Sequence, residues 1–431
     1  MSEWISCEFG SLYAEPSRNG LTKPKRVRGH GVKFVNMGEI FRHDRLKNLE
    51  CDRVPLAENE KSALLRNDDL LFARQSLVLA GAGKCSIFLG DIEKVAFESH
   101  IIRVRLDQNK ADPQFYYYLF RSPQGRSLIE AIVEQGAGAS GVRSSDLQSL
   151  MVPYTFLSQQ KAIARILSSL DDKIELNRRM NETLEAMARA IFKDWFVDFG
   201  PTRAKMSGRA AYLPEHIWSL FPEAIDPETG LPQGWKLATL GSIAESVNRT
   251  VNPTEIDEQT PYIGLEHMPR RSIALSDWEG AGKVTSNKLR FETGEFLFGK
   301  LRPYFHKVGI ASLSGICSTD IVVVRAKSEI WSSFVITIIS TDNFVEYTSL
   351  TSTGTKMPRT SWSIMAKYDL TLPPESLVKH FHLMIQPCTD QIIDNIHQNR
   401  TLADLRDRLL PKLMSGELRV KGAEKMAEDA V

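Results

Sequence analysis

Three absences narrow the reading of this sequence. Its cysteines, Cys7, Cys51, Cys85, Cys317 and Cys388, are odd in number and scattered, with no Cys-x-x-Cys pair and no Cys/His cluster. That pattern excludes a disulfide framework and a zinc centre of ordinary ligand spacing, and it points to a reducing cytoplasm. Long apolar runs are also missing. Residues 334–339 are strand-length, far short of the roughly 20 residues that cross a bilayer. The opening MSEWISCEFG has neither the basic region nor the apolar stretch of a signal peptide. Finally, no charge of one sign dominates: 54 Lys and Arg face 53 Asp and Glu, so bulk charge names no partner. A soluble cytoplasmic chain is expected. Its 431 residues, 42% of them hydrophobic, can fill two or three domain cores.

Catalytic patterns are equally scarce. Gly136-x-Gly138-x-x-Gly141 fits a dinucleotide fingerprint in form, but no clear strand precedes it and no acidic residue follows near twenty positions on. A flexible recognition loop is the expected role. Gly81-Ala82-Gly83-Lys84-Cys85 echoes a P-loop, yet Val78 replaces the first glycine and Cys85 the Ser or Thr that would bind magnesium. Asp171-Asp172-Lys173 has nuclease-like spacing but sits on a heptad helix, where a solvated face is the simpler expectation. No adenine-methylation motif such as Asn-Pro-Pro-Tyr occurs. The expected catalytic set is therefore none, with no metal and no cofactor on this chain.

What the sequence does have is a seam. Ile163, Leu167, Leu170, Ile174, Asn177, Asn181, Leu184, Ala188, Ile191 and Trp195 follow one another at alternating steps of four and three. Such a repeat marks a coiled-coil helix. No Pro or Gly breaks residues 157–199, and Pro201 is expected to stop the helix sharply. The seam recurs as Phe381, Ile385, Cys388, Ile392, Asn395, Asn399, Leu402, Arg406, Leu409 and Leu413, with both Asn positions kept. An antiparallel pair would join Asn177 to Asn399 and Asn181 to Asn395, place Leu184 by Ile392 and Trp195 by Phe381, and set Arg406 poorly opposite Leu170. A parallel pair would align the Asn residues too, so the seam alone does not choose. Pro387 is expected to kink or delay the second helix.

The regions before the helices also repeat. Residues 1–155 read as a mixed α/β domain, with short apolar runs for strands and residues 113–134 helical in two pieces opened by Pro113 and Pro123. After the helix of 156–199, a Pro- and Gly-punctuated connector covers 200–230. A second α/β domain (231–374), a second long helix (375–418) and a tail (419–431) follow. Gly294–Lys300 stands where Asp68–Arg74 stood, Thr319–Arg325 answers Ser99–Arg105, and Thr353–Thr360 answers the Gly-rich stretch. The expected fold is α+β: two pseudo-repeated mixed α/β domains separated by two long helices that pair as an antiparallel coiled coil.

Basic residues collect locally. Residues 18–47 carry Lys23, Lys25, Arg26, Arg28 and further cations against only Glu39 and Asp44. In the second half, Lys300, Arg302 and Lys307 lie close together with Tyr304 and His306 among them. Cations on such loops suit phosphate contact, while Arg, Asn and Gln read base edges. The solvated basic surface is the plain alternative. Arg143, Lys356 and Arg359 are the favoured positions, because each half places a basic residue after a Gly-containing turn.

Leu157-Ser158-Gln159-Gln160-Lys161-Ala162-Ile163-Ala164, Leu170-Asp171-Asp172-Lys173-Ile174, Trp195–Pro201 and Leu231-Pro232-Gln233-Gly234-Trp235 together make the chain resemble the specificity subunits of type I restriction–modification enzymes. The second helix departs from that pattern, reading Val378-Lys379-His380 and carrying Pro387. The resemblance implies two target-recognition domains reading a split double-stranded DNA sequence, with the helices as spacer. It implies two methyltransferase subunits and restriction subunits as partners. S-adenosylmethionine would then serve the methyltransferase, and ATP and Mg²⁺ the restriction subunit. Phe192, Trp195, Phe196 and Phe199 form a candidate docking surface, with packing inside the chain as the alternative. A coiled-coil adaptor without sequence readout is the competing reading.

Overall fold

The computed structural model describes residues 4–136 and 139–428. Its contacts divide the chain into two units, Met1–Lys173 with Thr401–Val431, and Ile174–Arg400. Both divisions fall inside a long helix.

The first unit is built on a five-stranded sheet ordered Tyr13–Asn19, Ile101–Leu106, Asp69–Ala73, Cys85–Phe88, Arg45–Leu46. Asp69–Ala73 is buried at every position, as a central strand covered on both faces must be. Asp69 is tolerated there because Arg105 donates to both its carboxylate oxygens at 2.7 Å. Helices Pro113–Arg121 and Pro123–Glu130 each open on proline, capped by Asp112 and Ser122. Phe9, Phe72 and Phe120 pack edge-to-face beneath them.

The second unit repeats the plan with a four-stranded sheet, Ala244–Ser246, Ile321–Ala326, Phe296–Gly299, Val308–Ile310. It also has a further five-stranded sheet, as the first unit has a further three-stranded one, Asp52–Val54, Val32–Val35, Val95–Phe97. Gly299 pairs with Ile321 as Ala73 pairs with Ile101. In each unit an antiparallel two-stranded clasp closes the domain just before its long helix. Ile5–Glu8 pairs with Met151–Tyr154, and Lys236–Thr239 with Asp369–Leu372.

The long helices run Leu157–Phe192 and Glu375–Met414. Within the second unit Asn177 donates to Asn399 at 2.9 Å and Asn395 to Asn181 at 2.7 Å, which makes the pair antiparallel. Within the first unit the expected misfit at Arg406 is absent: its guanidinium bonds Asp171 at 2.6 Å. Asp171 is therefore not on a solvated face. It is 8% exposed and also accepts from the Tyr118 hydroxyl at 2.7 Å.

Two proline expectations are corrected. Pro387 does not delay the second helix: it lies at an exposed position inside the unbroken helix Glu375–Met414. Pro201 does not stop the first helix. That helix passes through a π-turn at Lys193–Val197 and ends at left-handed Phe199, and Pro201 opens a new helix, Gly200–Met206.

The docking expectation also falls. Phe192, Trp195, Phe196 and Phe199 are buried in the second unit's main core, around Phe334, Phe381 and Trp235. Trp195, 2% exposed, packs on Phe221 and Phe381.

Candidate functional site

In the first unit the basic run splits into committed and open cations. Lys23 bonds Glu60 at 2.7 Å. Arg28 donates to the Lys23 carbonyl, Asn36 and Asp52 at 3.0, 2.9 and 3.1 Å, and its guanidinium lies 5.5 Å from the Phe34 ring centre. These two hold the loop together. Lys25 and Arg26 are exposed on the turn Lys25–Val27.

Arg143 lies elsewhere in the unit. It follows a three-stranded sheet ordered Glu134–Gln135, Ser140–Gly141, Gln75–Ser76, and ion-pairs with Glu134 at 2.7 Å while staying exposed. Gly138, from the glycine fingerprint, is outside the described residues. The P-loop echo is a structural turn: Gly83 takes a φ of +67°, and Lys84 donates to the Phe41 carbonyl and pairs with Asp44.

In the second unit the chosen residues come together. Lys300, Arg302 and Tyr304 precede and enter the turn Pro303–Phe305, and Lys356 and Arg359 sit on the loop beside it. The Thr360 N–H donates to the Lys300 carbonyl (3.0 Å), and the Arg302 N–H to the Pro358 carbonyl (2.7 Å). Thr353 and Arg359 exchange two backbone bonds at 2.9 Å. Arg359 also pairs with Asp320 at 3.2 Å, while Tyr304 and Lys356 face solvent. The result is a cationic ridge with one exposed aromatic ring.

Sequence reasoning missed Arg270, whose guanidinium lies 4.3 Å from the Phe305 ring centre and joins this ridge. Only the fold brings residue 270 to residue 305. Burial and the charge of Arg270 push the Lys307 amine below its ordinary pKa, and its ammonium donates to the Leu265 carbonyl. His306, buried behind the ridge, has its Nε2 3.0 Å from the Ser340 carbonyl, and burial lowers its pKa. Glu266, His267 and Glu279 lie close enough together to hold a cation, but a group of this kind is common without one.

The arrangement suits an extended polyanion better than a small molecule. A cavity in this unit, lined by Leu184, Glu185, Ile336 and Ile392 among others, is about 20 Å³, room for one water. Among the described residues no helix is long and apolar enough to cross a membrane.

Residues 21–186 match the model of the type I restriction modification DNA specificity domain. The chain is 27% identical over 327 residues to the type I restriction enzyme MjaIX specificity subunit of Methanocaldococcus jannaschii, covering 72% of this chain and 69% of that one. It is 22% identical over 470 residues to the HindI specificity subunit of Haemophilus influenzae, covering 97% of this chain and all of the relative. The fold is similar to that of a type I restriction–modification system S subunit from M. genitalium, with a TM-score of 0.53, 16% identity and 96% of each chain covered.

Proposed function

We infer that this chain, a member of the type I restriction–modification specificity-subunit family, reads a bipartite DNA target, each unit contributing one part. The observation that carries the reading is the repetition itself: two α/β domains with one strand plan, each closing on a long helix of the same antiparallel seam. One small domain can discriminate only a few base pairs, and two add their discrimination. A coiled-coil adaptor would explain the helices and leave both domains without work.

The chain itself carries no chemistry in this reading. Adenine methylation belongs to two methyltransferase subunits, which must flip the base out of the duplex, and cleavage to restriction subunits. S-adenosylmethionine, ATP and Mg²⁺ act on those partners, in the cytoplasm. Exposed Lys25, Arg26, Arg143, Tyr304, Lys356 and Arg359, with half-buried Lys300 and Arg302, are the proposed DNA contacts. Lys23 and Arg28 support them by fixing the loop that presents Lys25 and Arg26.

The test is recovery of the tagged chain from its native cell, with bound proteins identified by mass spectrometry and the methylome sequenced. An adenine methyltransferase at about two copies per chain and a split methylated sequence that disappears on deletion are expected. A chain recovered without a methyltransferase, and a methylome unchanged by deletion, would return the adaptor reading.

A further inference from the structure

The segment after the central strand of each repeat sits in the same backbone frame. In the first unit the Arg74 N–H donates to the His100 carbonyl at 2.8 Å, and the Arg74 carbonyl accepts from the Val142 N–H at 2.9 Å. In the second the Lys300 N–H donates to the Asp320 carbonyl at 2.9 Å, and the Lys300 carbonyl accepts from the Thr360 N–H at 3.0 Å. With Ala73 paired to Ile101 and Gly299 to Ile321, Arg74 and Lys300 hold equivalent positions. Both are cationic, and among the described residues neither side chain has an ion-pair partner. The frame also corrects the simple comparison of basic turns: Arg143 corresponds to Ser361, and Arg359 to Gly141.

Beyond these cations each loop lifts bulky side chains into solvent. Leu77 and Val78 are 88% and 63% exposed, and Tyr304 is 54% exposed. Neither tip is slack. Arg126 donates to the Leu79 and Ala82 carbonyls at 2.8 and 2.9 Å, and Ser76 Oγ accepts from the Val78 N–H at 3.2 Å. In the second unit Arg302 and His306 take left-handed φ values of 51° and 52° on either side of Tyr304, a cost that persists only where surroundings enforce it. Here Phe305 under Arg270, and buried His306, do the enforcing.

We propose that these two loops are the base-reading elements of the two halves, with Arg74 and Lys300 as equivalent phosphate anchors and Leu77, Val78 and Tyr304 meeting base edges. The proposal rests on the DNA-reading function above and names the surface that performs it. Apolar side chains contact the thymine methyl group in the major groove, and a tyrosine adds a hydroxyl and a π-face. A shared anchor with different tips lets one scaffold read two unlike sequences. Propped loops lose little freedom on binding, which favours affinity.

The test uses the full chain assembled with its methyltransferase partners, measuring duplex binding against salt and the methylated sequence in cells. Arg74→Ala and Lys300→Ala should each weaken binding and remove about one unit from the slope of log K against log salt. Leu77→Ala with Val78→Ala should relax base preference in one half of the target only, and Tyr304→Ala in the other half only. Unchanged slopes and an unchanged target overturn the proposal. So does loss of the methyltransferase from the assembly with DNA binding intact, which would mean that the tips face protein. A wild-type assembly without any sequence preference refutes the DNA-reading function itself, and this proposal with it.

Discussion

Asn395 donates its amide N–H to the side-chain oxygen of Asn181 across the helix pair at 2.7 Å, with both residues buried. A buried amide is tolerated only when bonded, so this pair penalises every register that separates it. Asn181→Leu leaves Asn395 without its acceptor and is expected to cost about 2 kcal/mol by chemical denaturation. Asn181→Leu with Asn395→Leu should recover most of that loss. A double variant as weak as the single one would show that the amide bond is not the cause.

Arg406 and Asp171 form the matching lock in the first unit. Burial, then the Asp171 charge, hold the Tyr118 phenol well above its usual pKa, so it remains a donor to that carboxylate. Arg406→Ala strands a nearly buried charge and is expected to destabilise by about 3 kcal/mol. Arg406→Ala with Asp171→Leu should be milder, both variants being compared by chemical denaturation.

Trp195 measures the correction to the docking expectation. Trp195→Ala empties a core site beside Phe221 and Phe381 and should cost about 4 kcal/mol. Partner binding should then fall only in step with unfolding. Full stability with binding lost would restore a docking role.

His306 gives a pH dependence. Burial lowers its folded pKa, and the charges of Arg271 and Arg189 add to that against the opposing Ser340 and Asp342. The unfolded chain therefore takes up the proton first, so stability is full above the ordinary value of 6.5 and declines as pH falls towards the lowered one. His306→Asn, which tolerates the left-handed backbone, should remove this part of the decline as pH falls below the ordinary value of 6.5.

Lys356→Ala should weaken duplex binding across sequences and lower the salt slope by about one unit. Arg359→Ala should weaken binding further, because Asp320 loses its partner and its negative charge then faces the phosphates. Unchanged affinity and site preference in either variant would remove that residue from the interface.

The seam positions, the repeated domains and the two Asn layers were legible in the sequence, because helical periodicity and buried polar spacing are local properties of the chain. Residue order also located the loop that carries Lys300, Arg302 and Tyr304. Helix direction was not legible, since parallel and antiparallel pairs both align Asn177 and Asn181 with an Asn. The bonds Asn177–Asn399 and Asn181–Asn395 decided it. Nor could composition tell a free cation from a committed one. Lys23, Arg28 and Lys33 look alike in the sequence until Glu60, Asp52 and Asp91 are brought beside them. The same limit hid the burial of Phe192 through Phe199 and the approach of Arg270 to Phe305, because partners distant in sequence meet only when the sheets and helices pack.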